Sequence, residues 1–223
     1  MPKGNMIEMT MSDGKSVAVY RAEPSGMRKA GLVVIQEVFG VTQHIRDVAD
    51  SYSMEGYEVL APALFDREEP GFTAGADEIQ KGVDLAYKRH PFELSVADAM
   101  TCAQSLKKNG LVFAVGYCYG GSVAWALACR SGELSAVSSY YGKLAPDMAD
   151  EKPKCPVICH FGRTDASIPL DRVEHLQRLR PEVRVYLYDA GHGFNSPRPT
   201  HHNAEAARLA RDRTLEFFRA NGG

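Results

Sequence analysis

The most informative segment for chemistry is Gly116–Gly121, in which Cys118 stands between Gly116 and Gly120 with one residue on either side. An apolar, β-prone run precedes it and the alanine-rich run 122–129 follows it, which predicts a sharp turn from a strand into a helix. This is the pattern of a nucleophile elbow, with a thiol where the usual motif has a hydroxyl. Small neighbours are needed because the nucleophile takes a strained backbone angle. The N-terminus of the helix would favour the thiolate.

Two other interpretations of this segment are open. A glycine-rich turn between a strand and a helix can bind phosphate, but no lysine follows for a Walker loop and the spacing is not that of a dinucleotide fingerprint. A lone buried cysteine is often only a small apolar residue. The role of Cys118 therefore depends on what the rest of the chain places beside it.

Asp165 and His192 could complete a set of nucleophile, acid and base. His192 stands between two glycines after the last predicted strand, and Asp165 follows an earlier strand. The chain order Cys, Asp, His is the order found in α/β-hydrolases. In a parallel sheet, ligands gather at the carboxyl ends of the strands. The residues predicted at these ends are Glu37, Arg67, Cys118, Tyr141, Asp165 and His192.

Alternatives remain for single members of this set. Asp165 alone could cap a helix, and most of the seven histidines are expected at the surface. The adjacent pair His201-His202 has no third ligand nearby, so no metal site is predicted.

The elements that must position these residues alternate between strands and helices. An antiparallel hairpin is predicted at Ile7–Thr10 and Ser16–Tyr20, around Asp13-Gly14. Continuous apolar runs then predict buried parallel strands. The predicted strands are 31–36, 57–61, 111–115, 134–139, 156–161 and 183–188, and the predicted helices are 43–55, 77–89, 94–108, 122–129, 169–180 and 203–219. This predicts one α/β domain over residues 1–223, with a mostly parallel sheet and helices on both faces.

Composition excludes several classes of protein. The formal net charge of -2 provides no basic field for nucleic acid. No apolar run is long enough to cross a membrane, and the N-terminus is not a signal peptide. The five cysteines are an odd count, contain no Cys-x-x-Cys pair and fit reduced thiols in the cytoplasm.

The chain resembles the dienelactone hydrolase family, the cysteine-dependent members of the α/β-hydrolase superfamily. The resemblance covers the chain from about Ile7 to Phe218. The matching motifs are Gln36-Glu37-Val38-Phe39-Gly40, Gly116-Tyr117-Cys118-Tyr119-Gly120-Gly121, Tyr140-Tyr141-Gly142, Gly162-Arg163-Thr164-Asp165 and Ala190-Gly191-His192-Gly193-Phe194.

The resemblance implies roles for the matched positions. Cys118 would be the nucleophile, His192 the base and Asp165 the group that orients it. Glu37 would meet the thiol in the resting enzyme and hold it neutral, because a nearby carboxylate disfavours a second negative charge. The backbone N–H groups of Val38 and Tyr119 would form the oxyanion hole.

Substrate contacts are implied at Arg67, Phe39 and Tyr141. Arg67 matches one of two arginines that bind the substrate carboxylate in the family. Members that cleave dienelactone have a serine after the histidine and a second arginine further on, where this chain has Gly193 and Ser196; Arg198 is two places off. The sequence therefore leaves two questions open: whether a second arginine binds the substrate carboxylate, and whether dienelactone is the substrate.

The function expected is hydrolysis of small, anionic lactones or carboxylic esters, of the carboxymethylenebutenolidase type, through an acyl-enzyme and without a cofactor. The chain could instead be a general carboxylesterase, or a non-hydrolytic ligand-binding or redox-sensing protein that uses Cys118. The sequence does not define the oligomeric state, and a monomer fits it.

Overall fold

The computed structural model describes residues 3–198 and 201–223. The strands are β1 (Asn5–Thr10), β2 (Ser16–Ala22), β3 (Ala30–Ile35), β4 (Tyr57–Pro62), β5 (Val112–Tyr117), β6 (Ala136–Tyr140), β7 (Val157–Gly162) and β8 (Arg184–Tyr188). The α-helices are α1 (Gln43–Ser53), α2 (Ile79–Asp84), α3 (Phe92–Lys107), α4 (Tyr119–Arg130), α5 (Leu170–Leu179) and α6 (Ala204–Ala220).

All eight strands join one sheet in the order β1-β2-β4-β3-β5-β6-β7-β8. β2 is antiparallel to both of its neighbours, β1 and β4. The remaining strands, in the sheet order β4-β3-β5-β6-β7-β8, are all parallel to one another. Strands β3 to β7 are buried along their whole length, because helices cover both faces of a parallel sheet. This confirms the predicted α/β class with its mostly parallel sheet.

The two faces of β5 contact different helices. Phe113 packs on Phe218 of α6, with 4.8 Å between ring centroids, and Tyr117 contacts the ring of His44 in α1. Side chains alternate along a strand, so Gly116 faces the other side, where it lies against Gly120 of α4. The helix that carries the elbow is thus packed directly on the centre of the sheet.

The predicted hairpin is present, and its turn uses Gly14 at a φ of 83°. The long helix predicted over 77–89 is not regular. It consists of a 3₁₀ turn at Ala76–Glu78, the short helix α2 and a π-helical turn at Leu85–Arg89. The segment packs tightly on the neighbouring loop, since a Cβ atom at Gly82 would lie 2.2 Å from the carbonyl oxygen of Val38.

Within the described ranges, no helix has the length and apolar character needed to cross a bilayer.

Candidate active site

Cys118 lies at the junction of β5 and α4 in a strained backbone conformation. Its φ is 54° and its ψ is −115°, which is unusual for a residue with a side chain. The Cys118 N–H donates to the carbonyl oxygen of Tyr140 at 3.0 Å, which holds the strained residue against β6. Strain of this kind persists only where the surroundings impose it, and it is concentrated at functional sites.

Glycines allow this turn because no side chain would fit around it. A Cβ atom at Gly116 would lie 1.9 Å from the carbonyl oxygen of Gly120. At Gly120 it would lie 2.3 Å from the carbonyl oxygen of Ile35, and at Gly121 it would lie 2.4 Å from that of Tyr140. The sequence-based argument for small residues around Cys118 therefore has a direct steric basis.

Cys118, His192 and Asp165 form one hydrogen-bonded chain. The Nε2 atom of His192 lies 3.2 Å from the Sγ atom of Cys118, and its Nδ1 atom lies 2.7 Å from Oδ2 of Asp165. Burial lowers the pKa of His192, but Cys118 and the Asp165 hydrogen bond raise it more strongly, to about 10. His192 therefore keeps its proton to a higher pH than an ordinary histidine does.

Ser167 also belongs to this hydrogen-bonded set, although the sequence alone did not identify it. Oδ1 of Asp165 accepts hydrogen bonds from the Ser167 hydroxyl at 2.6 Å and from the Ser167 N–H at 2.8 Å. The same hydroxyl oxygen lies 3.1 Å from Nδ1 of His192. Burial raises the pKa of Asp165, but the hydrogen bonds from His192 and Ser167 bring it below the usual value. The signal available in sequence was the spacing Asp165-x-Ser167, which is typical of an Asx turn.

Glu37 is buried at the end of β3 and lines the same cleft as Cys118. Burial raises its pKa to about 7, against the opposing effects of Arg198 and His192. Among the hydrogen bonds of residues 3–198 and 201–223, none joins Glu37 to Cys118. The polar side-chain atom at hydrogen-bonding distance from the sulfur in this structure is Nε2 of His192, and the expected contact of Glu37 with the thiol is not formed.

The N–H groups of Val38 and Tyr119 are candidates for binding a carbonyl oxygen. Tyr119 is the first residue of α4, where an N–H has no partner within the helix. The Val38 loop is held by a bridge between Gly40 and Thr73 and by a hydrogen bond from the Ala74 N–H to the Phe39 carbonyl. The segment around Thr73 thus anchors the loop that carries Val38.

A cleft of about 730 Å³ opens over Cys118. Phe39 lines it, as predicted, and the Arg198 guanidinium stacks on the Phe39 ring with 3.0 Å to the centroid. Tyr141 is fully buried behind the ring of His192, with 5.1 Å between centroids, and does not line the cleft. Contrary to the expectation from the sequence, Tyr141 is therefore not placed to contact a substrate in the cleft.

Arg67 does not lie in the cleft either. Its side chain is 3% exposed and pairs with Asp98 of α3 and with Asp13 of the hairpin. Both carboxylates raise the pKa of Arg67, the Asp98 hydrogen bond most strongly. In this structure Arg67 is therefore not placed to bind a substrate carboxylate, because the guanidinium already pairs with two carboxylates of the chain.

Arg198 is the guanidinium that the cleft contains instead. Burial lowers its pKa, and Glu37 and Cys118 oppose that effect. Within the described parts of the chain, no carboxylate forms a salt bridge with it. The neighbouring Gly193 has a φ of 72°, which suits glycine and would strain the serine that the family places there.

The arrangement can carry out nucleophilic chemistry at a carbonyl. It combines a sulfur nucleophile, a base oriented by a buried carboxylate and N–H groups suited to an oxyanion. In the described ranges, no group of three or more histidine, cysteine, aspartate or glutamate side chains could hold a metal ion.

Comparisons with known proteins agree on one family. A family model described as "Dienelactone hydrolase family" matches residues 17–222. The "Putative carboxymethylenebutenolidase" of Salmonella typhimurium is 33% identical over 236 aligned positions, covering 95% of this chain and 86% of that protein. The protein of the same name from Synechocystis sp. is 31% identical and is covered over 91% of each chain.

Solved structures show the same fold. The crystal structure of a "Putative Dienelactone Hydrolase" from Klebsiella pneumoniae superposes with a TM-score of 0.83 at 28% identity, covering 98% of this chain and 99% of that one. A dienelactone hydrolase-like phosphotriesterase from metagenomic libraries superposes with a TM-score of 0.82 at 20% identity, covering 100% of each chain. These likenesses confirm the α/β-hydrolase fold predicted from the sequence.

Proposed function

The chain belongs to the dienelactone hydrolase family, whose members are hydrolases, and we propose that it cleaves small lactones or carboxylic esters through an acyl-enzyme on Cys118. The reaction we propose is of the carboxymethylenebutenolidase type. In this type an unsaturated lactone that carries a carboxylate is hydrolysed. The observation that carries the proposal is the hydrogen-bonded chain from Cys118 through His192 to Asp165, at a strained elbow.

In the acylation step, the proton of the Cys118 thiol passes to Nε2 of His192, and the sulfur attacks the carbonyl carbon of the substrate. The carbonyl π electrons move to the oxygen, which the N–H groups of Val38 and Tyr119 stabilise. When the tetrahedral intermediate collapses, the bond to the leaving oxygen breaks and His192 gives that oxygen its Nε2 proton. The product of this step is a thioester on Cys118.

In the deacylation step, water attacks the thioester while His192 takes one of its protons. The carbon–sulfur bond breaks and the carboxylic acid leaves. The proton taken from water is then on Nε2 of His192, beside the free Cys118 sulfur, and the resting pair is restored. In both steps Asp165 holds the imidazole ring in position through Nδ1, and Ser167 holds Asp165.

The cleft favours negatively charged substrates. Arg198 is stacked on Phe39 at the wall of the cleft, and Lys143 also lines it. A guanidinium binds a carboxylate through two parallel hydrogen bonds, which fixes the direction of the scissile carbonyl as well as adding affinity. Arg198 thus takes the role that the sequence analysis gave to Arg67.

A panel of substrates tests the proposal. The purified protein is assayed with lactones and esters in matched pairs, each with a free carboxylate and as its methyl ester, and Cys118→Ala serves as the inactive control. We expect turnover that needs Cys118 and a higher kcat/KM for the anionic member of each pair. Absence of turnover across the panel, or full activity in Cys118→Ala, contradicts the proposal.

A general carboxylesterase is the second candidate, and the size of the cleft favours it. A volume of about 730 Å³ falls in the range of sites that enclose drug-sized ligands and exceeds what one small lactone ring fills. Equal rates on the neutral and anionic members of each pair favour this candidate. For either activity we propose a cytoplasmic location, which is supported by the free thiols of all five cysteines.

A further inference from the structure

The segment that begins with α2 presents apolar side chains to the cleft. Ile79, Val83 and Tyr87 all line it, and their spacing of four residues places them along one side of the segment. We call these three residues the apolar stripe. Ile79 and Tyr87 are 44% and 41% exposed, although a surface helix normally turns its apolar face to the core. Clustered apolar side chains at a surface mark a binding site.

The stripe cannot turn inward, because an adjoining side of the segment is packed against backbone. A Cβ atom on Gly82 would lie 2.2 Å from the carbonyl oxygen of Val38, so the helix has no room to rotate. Further along, the Tyr87 ring packs edge-on against the Tyr119 ring, with 5.6 Å between centroids. The stripe is therefore held beside both residues whose N–H groups are expected to bind the substrate carbonyl oxygen.

We propose that the apolar stripe binds the acyl group of the substrate, and that preferred substrates are esters or lactones with a medium-length apolar acyl chain. The inference rests on the proposed hydrolase function of Cys118. His192 must give its proton to the leaving oxygen, so the leaving group lies on the His192 side of the carbonyl. The apolar stripe adjoins Val38 and Tyr119 instead, so the group that contacts the stripe is the acyl chain.

The stripe and Arg198 do not compete for the same part of a substrate. Arg198 lies over the ring of Phe39, whereas the stripe adjoins the backbone of Val38 and the ring of Tyr119. The cleft volume of about 730 Å³ accommodates both an apolar chain and a charged group.

Two measurements test the proposal. The first is kcat/KM for p-nitrophenyl esters from acetate to decanoate. The second is calorimetric binding of linear carboxylates from butanoate to decanoate, which needs no turnover. We expect kcat/KM and affinity to rise by about two- to fourfold for each added methylene until the chain fills the cleft.

The variant Val83→Gln places a polar side chain in the middle of the stripe and should flatten both series. Val83→Leu keeps the side chain apolar and should retain the dependence on length. Leu179→Gln, an equally drastic change at an exposed leucine of α5, is the matched control and should behave like the natural protein.

The outcomes separate this inference from the proposed function. The apolar stripe is not the acyl site if neither kcat/KM nor affinity depends on chain length in the natural protein. The same conclusion follows if Val83→Gln shows the same length dependence as the natural protein. If carboxylates bind with the expected length dependence while no ester is hydrolysed, the stripe stands and the proposed hydrolase function fails.

Discussion

The Nε2 atom of His192 lies 3.2 Å from the Sγ atom of Cys118, although 74 residues of chain separate them. The pKa of His192 is raised to about 10 in this position, where the Cys118 and Asp165 charges outweigh the effect of burial. The imidazole is therefore expected to keep its proton at neutral pH.

Cys118 and His192 should act as one unit. Cys118→Ala should abolish turnover, and His192→Gln should reduce kcat by about three to five orders of magnitude, because neither thiolate nor proton donor works alone. The double variant should lose little beyond the larger single loss. Single-turnover assays of the four proteins measure this, with exposed His175→Gln as the control. Losses that add up in the double variant would mean that the residues act in separate steps.

Ser167 should position Asp165 and His192 without touching substrate. Ser167→Ala removes the 2.6 Å hydrogen bond to Asp165, so we expect kcat to fall by about tenfold with little change in KM, and the acidic limb of the pH profile to move. Ser167→Thr keeps the hydroxyl and should restore most of the rate. The control is Ser12→Ala on the exposed hairpin turn. A Thr variant as slow as the Ala variant argues that only packing is affected.

Glu37 should make the protein less stable as the pH rises. Its pKa is about 7 when folded and 4.5 in the reference state, so the unfolded chain loses the proton first. Its contribution is complete below pH 4.5, and the free energy of unfolding falls as pH rises through 7, by up to about 3 kcal/mol. In denaturant titrations from pH 4 to 8, Glu37→Gln should lack this fall between pH 4.5 and 7 when its stability is compared with that of the natural protein at each pH. Glu182→Gln on an exposed loop should keep it.

Glu37→Gln should also make Cys118 easier to alkylate near neutral pH. Glu37 lines the same cleft as Cys118, and removing its buried carboxylate removes a negative charge that opposes the thiolate. The rate of reaction with iodoacetamide measures this effect. An unchanged or slower rate would leave Glu37 with a structural or substrate-binding role.

His160 should limit stability in acid. Its ring is fully buried, with Nδ1 at 2.7 Å from the Tyr188 hydroxyl and Nε2 at 3.2 Å from Oγ1 of Thr214. Burial lowers its pKa to about 3, so its contribution is complete above pH 6.5 and falls by up to about 5 kcal/mol as pH drops through 3. His160→Gln should be less stable at pH 7 but should show a shallower loss between pH 6.5 and 4. An unchanged slope would show that the imidazole does not govern acid unfolding.

Arg198 and Arg67 should differ in what they affect. Arg198→Ala should reduce the preference for anionic substrates by about tenfold, since a bidentate pair with the substrate is lost. Arg67→Ala should leave that preference unchanged but lower the free energy of unfolding by about 3–5 kcal/mol, because Asp98 is left buried without its partner. Kinetics on the acid and methyl ester pairs, with thermal melting, measure both. A preference that falls only in Arg67→Ala would restore the expectation drawn from the sequence.

Sequence patterns were enough to predict most of the strands and helices and the order of the residues that meet at the strand ends. Continuous apolar runs predicted the parallel strands, and glycine spacing predicted the elbow at Cys118. Strand ends in a parallel sheet necessarily share an edge, so Asp165 and His192 could be brought to Cys118 without knowing a single distance.

Only the tertiary structure decided which charged and apolar side chains face the cleft. Arg67 follows a strand end, as Glu37 does, yet it turns toward Asp13 and Asp98, which lie far away in sequence. Arg198 and the apolar stripe reach the cleft because loops and a distorted helix fold over the sheet edge. Periodicity describes what a segment buries on average, whereas ion-pair partners and the tight contact at Gly82 depend on which distant segment lies opposite, and that is a property of the packed chain.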